Sequence, residues 1–128
     1  MNTASAKAKG RNLQKFVRDL MRSLSESLSP GDIESRPMGS QGTDIILSPA
    51  ALKEWPLSVE CKNVERLNVW GAWDQCRSNV IEGTIPVLVI KKNREKPLAI
   101  IDAETFFHLV HEVTRQWERA QKGDEQDD

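Results

Sequence analysis

Residues 86–92, PVLVIKK, are the most hydrophobic segment of the chain. A strand that is apolar on both faces must be covered on both faces, as the central strands of α/β sheets are. The rest of the chain therefore has to supply neighbouring strands and helices on two sides. The turn NREK (93–96) leads into PLAIID (97–102), a second strand expected to run antiparallel to the first. Three further segments have strand character: DIESRPM (32–38), TDIIL (43–47) and LSVECK (57–62). The first is expected at a sheet edge, because Pro37 has no N–H to donate to a ladder. GSQG (39–42) is a turn, and SPAALKEWP (48–56) a turn with one short helical excursion.

Helical spacing appears in three places. Leu13, Phe16, Val17, Leu20, Met21 and Leu24 define one helix face, closed by SLSPGD (27–32). A second helix is expected over Val69 to Glu82. In a third, Asp102 is a good N-cap, and Phe106, Leu109, Val110, Val113 and Trp117 form the expected buried side. The order α-β-β-β-α-β-β-α describes an α/β domain with a mixed central sheet flanked by helices. One domain over residues 10–120 is expected, with a disordered basic arm at 1–9 and a disordered acidic tail at 121–128.

Composition excludes several classes. No apolar run approaches the roughly eighteen residues of a membrane span, and MNTASAKAKGRN lacks the apolar region of a secretory signal. The reading is a cytoplasmic protein with no membrane partner. Cys61 and Cys76 lack zinc-type spacing, and a disulfide between them is not expected in a reducing compartment. The net charge of −1 hides an asymmetry: residues 1–22 hold six basic side chains against one acid. Lys7, Lys9, Arg11, Lys15 and Arg18 could meet the phosphates of DNA, or simply form a solvated helix face.

The chemistry concentrates on two consecutive strands. Asp44 directly precedes the apolar run IIL, and Glu60 sits between Val59 and Cys61. Side chains alternate along a strand, so Lys62 shares the face of Glu60. If the strands are neighbours, Asp44 and Glu60 converge with Lys62 beside them. Two carboxylates that close repel unless one is protonated or a cation intervenes. Magnesium suits such a site, since it takes carboxylate oxygens together with waters and phosphate oxygens. It can polarise a phosphoryl oxygen and acidify a water, which Lys62 could hold or deprotonate. An E-x-K pair alone is usually a surface ion pair; Asp44 on the preceding strand is what separates this one from that class.

GTDIIL and VECK together resemble the PD-(D/E)XK nuclease superfamily, whose pattern is an acid followed by (D/E)-x-K on the next strand. Over roughly residues 9–102 the chain also resembles small phage and prophage proteins described as endonucleases or Holliday-junction resolvase-like nucleases. The resemblance rests on KGRNLQKFVRDLM, DIESRPMGSQGTDIILSPAA, WPLSVECKNVERLNVWGAWDQCRSN and PVLVIKKNREKPLAIID. It implies a restriction-endonuclease-like core and a magnesium-dependent endodeoxyribonuclease, with manganese able to substitute. It places metal-binding acids at Asp44 and Glu60, a main-chain metal ligand at Cys61 and a catalytic lysine at Lys62. Gln75 corresponds to a glutamine that some members carry on the following helix, with Asn79 one turn later. Branched DNA is the implied substrate and, for a phage-encoded chain, the bacterial host cytoplasm the implied location. Paired cuts across a junction imply a homodimer.

The chain departs from the pattern at Gln14, nearest the place where many members carry a helix acid. Asp19 and Asp32 are possible substitutes. A DNA-binding or assembly module without catalysis, and a nuclease for linear or flap DNA, are the alternative readings. At least one of Trp70 and Trp73 is expected in the core. His108 and His111 lack the H-E-x-x-H spacing of a zinc site and read as helix-face residues.

Overall fold

The computed structural model describes residues 3–126, with side chains described through residue 123. Helix α1 spans Thr3–Leu24, followed by a single 3-10 turn at Pro30–Asp32. Strands β1 (Ile33–Ser35) and β2 (Ile45–Leu47) form an antiparallel pair. The short helix α2 (Pro49–Glu54) leads into β3 (Leu57–Asn63) and then helix α3 (Val69–Ser78). Strands β4 (Ile85–Lys91) and β5 (Leu98–Ile100) precede the last helix, α4 (Ala103–Gln126). The second sheet has the order β3-β4-β5, parallel between β3 and β4 and antiparallel between β4 and β5. The PVLVIKK segment is thus the central strand of this sheet, and the molecule is α/β with a mixed three-stranded and an antiparallel two-stranded sheet.

Alternation divides the β3-β4-β5 sheet into two covered faces. On one, Val59, Cys61 and Val89 pack with Leu13, Val17 and Met21 of α1 and with Ile33 and Ile45. On the other, Ala72 and Cys76 of α3 pack on Leu88, with Trp73, Ile90 and Ile100 at the margin. Four consecutive β3 residues, Ser58 to Cys61, are buried, because this strand has a helix on each side. Trp73 belongs to the core margin, while Trp70 is exposed.

Local chemistry sets the short elements. Ser48 caps α2 by accepting from the Ala51 N–H at 3.1 Å, with Pro49 in the first turn, where a missing N–H costs nothing. The Ser48 hydroxyl also donates to Asp32 at 2.7 Å. The Asp102 carboxylate accepts from the Thr105 N–H at 3.1 Å and caps α4 as its position suggested.

Four expectations need correction. The five strands do not share one mixed sheet, since β1 and β2 pair apart from β3-β4-β5. The helix expected from Val69 to Glu82 ends at Ser78, with Asn79 as its C-cap. α1 begins at Thr3 and α4 reaches Gln126, so the described parts of the supposed arm and tail are helical; residues 1–2 and 127–128 lie outside the described residues. The expected buried side of α4 is also exposed: Phe106, Leu109, Val110, Val113 and Trp117 all face solvent. Hydrophobic periodicity states that a face requires cover, not that the cover lies in the same chain.

Candidate active site

Asp44 stands just before β2, where the two sheets meet. Its N–H donates to the Val59 carbonyl at 2.9 Å, and its carboxylate accepts from the Cys61 N–H at 2.7 Å. These bonds seat the acid beside β3 without a regular ladder. They also orient Cys61. The N–H and C=O of one strand residue point toward the same neighbouring strand, so the Cys61 carbonyl opens on the Asp44 side. Its thiol lies in the opposite layer with α1, where burial pushes it well above the ordinary range.

Glu60 is only 4% exposed, beneath α3 rather than at a wet surface. Its Oε1 accepts from Asn79 Nδ2 at 2.7 Å. Burial pushes the carboxyl up to about 7; the Asn79 amide works against that rise and the nearby Asp44 carboxylate adds to it. Lys62 opposes the rise electrostatically, yet it makes no hydrogen bond or salt bridge among the described residues. A carboxylate this deep is costly to ionise without a cation.

The acids open into a cavity of about 520 Å³ that also contacts Gln14, Lys62, Gln75 and Asn79. Its far wall is the β1–β2 turn, where Gly39 and Gly42 adopt positive φ values of 87° and 113°. Arg36 secures the base of that turn through the Thr43 carbonyl, and a Cβ on Gly42 would lie 2.9 Å from its guanidinium carbon. Met38 rests against Gly10 of α1. Asn63 donates to the Lys9 carbonyl at 3.0 Å, tying α1 to the end of β3. These contacts hold Gln14 in the wall, buried and without a hydrogen-bond partner among the described residues.

The chain matches no family model, no curated protein and no solved structure.

Asp44, Glu60, Lys62 and Gln75 therefore share one cavity, as does the backbone of Cys61. Asn79, not Gln75, holds Glu60; Gln75 is exposed and lines the rim. Asp32 is engaged by Ser29 and Ser48, and Asp19 pairs with Arg18 at 2.9 Å, so neither substitutes for a helix acid. Among the described residues no three His, Cys, Asp or Glu side chains cluster as a metal site. The oxygens offered there are the Asp44 and Glu60 carboxylates and the Cys61 carbonyl, which strand geometry turns to the Asp44 side. All are hard oxygen donors, suited to a magnesium ion that keeps several waters.

The basic residues divide. Lys7, Arg11, Lys15, Arg18 and Arg22 recur at helical spacing along one flank of α1, on the side of Gln14. Lys9 falls on the other flank and pairs with Glu65 at 3.3 Å. Sequence spacing could have separated these two flanks. The Met38–Gly10 and Asn63–Lys9 contacts, between residues far apart in the chain, left no signal in it.

Proposed function

We propose that the protein is a magnesium-dependent DNA endonuclease with a restriction-endonuclease-like core, with manganese able to replace magnesium. The observation that carries the reading is the Asp44 carboxylate anchored on the Cys61 N–H, next to buried Glu60 and to Lys62, which has no salt bridge among the described residues. Asp44, Glu60 and the Cys61 carbonyl would hold the ion. When bound, it supplies positive charge for a phosphoryl oxygen and lowers the pKa of water.

The chain's own groups do the rest. Asn79 fixes Glu60 Oε1 and so orients a carboxylate that lines the cavity. The Lys62 ammonium, free of a salt bridge, holds the attacking water and balances charge developing on the phosphate. Gln14, with an unengaged amide at the wall, orients a second water where an acid would bring charge. The flank of Lys7, Arg11, Lys15 and Arg18 grips the phosphate backbone and sets its path toward the cavity. In-line hydrolysis leaves 5′-phosphate and 3′-hydroxyl ends. A branched substrate such as a Holliday junction, and work as a homodimer in a bacterial cytoplasm, complete the proposal; they rest on the family resemblance.

The test is cleavage of labelled four-way junction, duplex, flap and single-stranded DNA with magnesium or manganese, comparing wild type with Asp44→Asn and Lys62→Ala. Metal-dependent cutting lost in both variants supports the mechanism. Binding with no cutting of any substrate would leave a DNA-binding module.

A further inference from the structure

Helix α4 is 24 residues long, yet none of its described residues is buried. Phe106, Phe107, Leu109, Val110, Val113 and Trp117 are between 41% and 69% exposed. Together they present on the order of 600 Å² of apolar surface, taking a large side chain at roughly 150–250 Å². That is at or beyond the largest patch usual on a monomer, and near the roughly 800 Å² that each partner of a stable complex contributes.

The sequence of the helix states what kind of partner fits. In heptad terms, Ala103, Val110 and Trp117 occupy a positions, and Phe106, Val113 and Ala120 occupy d positions. The neighbouring e and g positions, including Phe107, Leu109, Thr114 and Gln116, carry no charge. Every charged residue from Glu104 to Lys122 falls at b, c or f. The face can thus be buried without burying a charge. Its polar side has three acids and three basic residues, unlike the cationic side of a helix that lies on anionic lipid.

We infer that α4 is a dimerisation element whose apolar face pairs antiparallel with α4 of a second copy. In that pairing each a residue meets a d residue of the other helix. The layers are Ala103 with Ala120, Phe106 with Trp117, and Val110 with Val113, each occurring twice across the two-fold axis. Small residues meet small and large meet large, and no a or d residue is left over between Ala103 and Ala120. The inference deepens the homodimer part of the proposed function, is argued from α4 alone, and stands or falls separately from the hydrolytic reading.

The test is sedimentation velocity on the full chain across the micromolar range, without DNA or metal. Wild type should sediment as a dimer, and Val113→Glu with Trp117→Glu should weaken association at least about 100-fold. Near-ultraviolet circular dichroism from the core should be retained, because no described residue of α4 is buried. Mixing Val110→Cys chains with Val113→Cys chains should give a mixed disulfide faster than either gives alone; native Cys61 and Cys76 are buried and do not compete. The inference is overturned by a monomeric wild type, by a dimer indifferent to the glutamates, by equal disulfide rates in all mixtures, or by a monomer that binds lipid vesicles through α4.

Discussion

Helices α1 and α4 are close to the same length and both carry apolar residues at helical spacing, yet the fold treats them oppositely. α1 buries Leu13, Val17 and Met21 against both sheets and places Gln14 in the cavity wall. α4 buries nothing. The difference follows from what each helix is tied to. α1 is pinned at three places: Asn63 holds the Lys9 carbonyl, Arg22 donates to the Ile33 carbonyl at 2.9 Å, and Met38 meets Gly10. α4 starts at its cap on Asp102, next to a three-residue strand paired with β4, and none of its described residues is buried. One helix builds the site; the other remains available to a second molecule.

The sharpest way to break this comparison is at the site that α1 helps to wall. Asp44→Asn and Lys62→Ala should each lower metal-dependent cleavage by about 10²–10³-fold or more, measured under single-turnover conditions. Glutamates on α4 should leave the chemical step on a short duplex intact. If they abolished it, the separation of the two helices would be wrong.

Stability gives the next contrast. Leu13→Ala should cost about 2–5 kcal/mol in urea unfolding, as deletion of a fully buried leucine does. Val113→Ala, measured at a concentration where the chain is monomeric, should cost less than about 0.5 kcal/mol, in line with an exposed position. Equal losses would show that α4 belongs to the folded core.

A smaller effect concerns pH. The folded-state pKa of Glu60 is raised from 4.5 to about 7. The native state therefore binds this proton more tightly than the unfolded chain. Its stabilising contribution is complete below about pH 4.5 and is lost as pH rises through 7. In metal-free buffer the loss should be about 1–2 kcal/mol, allowing for screening by water in the open cavity. Glu60→Gln should flatten this dependence. A metal-free stability that instead rises between pH 5 and 8, and does so only with Glu60 present, would contradict the burial argument.

The smallest expected effect separates the flanks of α1. Arg11→Ala and Lys15→Ala should each weaken binding to any DNA sequence and reduce the salt slope by about 1. Lys9→Ala should change it less, since Lys9 is on the other flank and engaged by Glu65. A salt titration of fluorescence anisotropy reads both.

Much of this was legible before the fold was known. The apolar run around Leu88 required a central strand, because four successive apolar residues leave no face for water. Asp102 announced the start of α4 through the chemistry of its side chain. Asp44, Glu60 and Lys62 stood out because acids embedded in apolar strands need a reason to be there. Alternation put Glu60 and Lys62 on one face, but it could not show that α3 would cover that face and leave Glu60 almost fully buried. Nor could it prefer Asn79 over Gln75, since one turn of helix separates a residue that reaches Glu60 from one at the rim.

By itself the sequence determined most of the elements, their order and the residue types able to hold a hard cation, because those depend on local periodicity and on side-chain chemistry. Only the tertiary structure decided which distant segments touch, Asp44 with the Cys61 N–H, Asn79 with Glu60 and Met38 with Gly10, and that no described residue of α4 is buried. Such contacts depend on the paths of chain segments far apart in sequence. An apolar stripe records only that water must be excluded from it, and is silent about which surface excludes it.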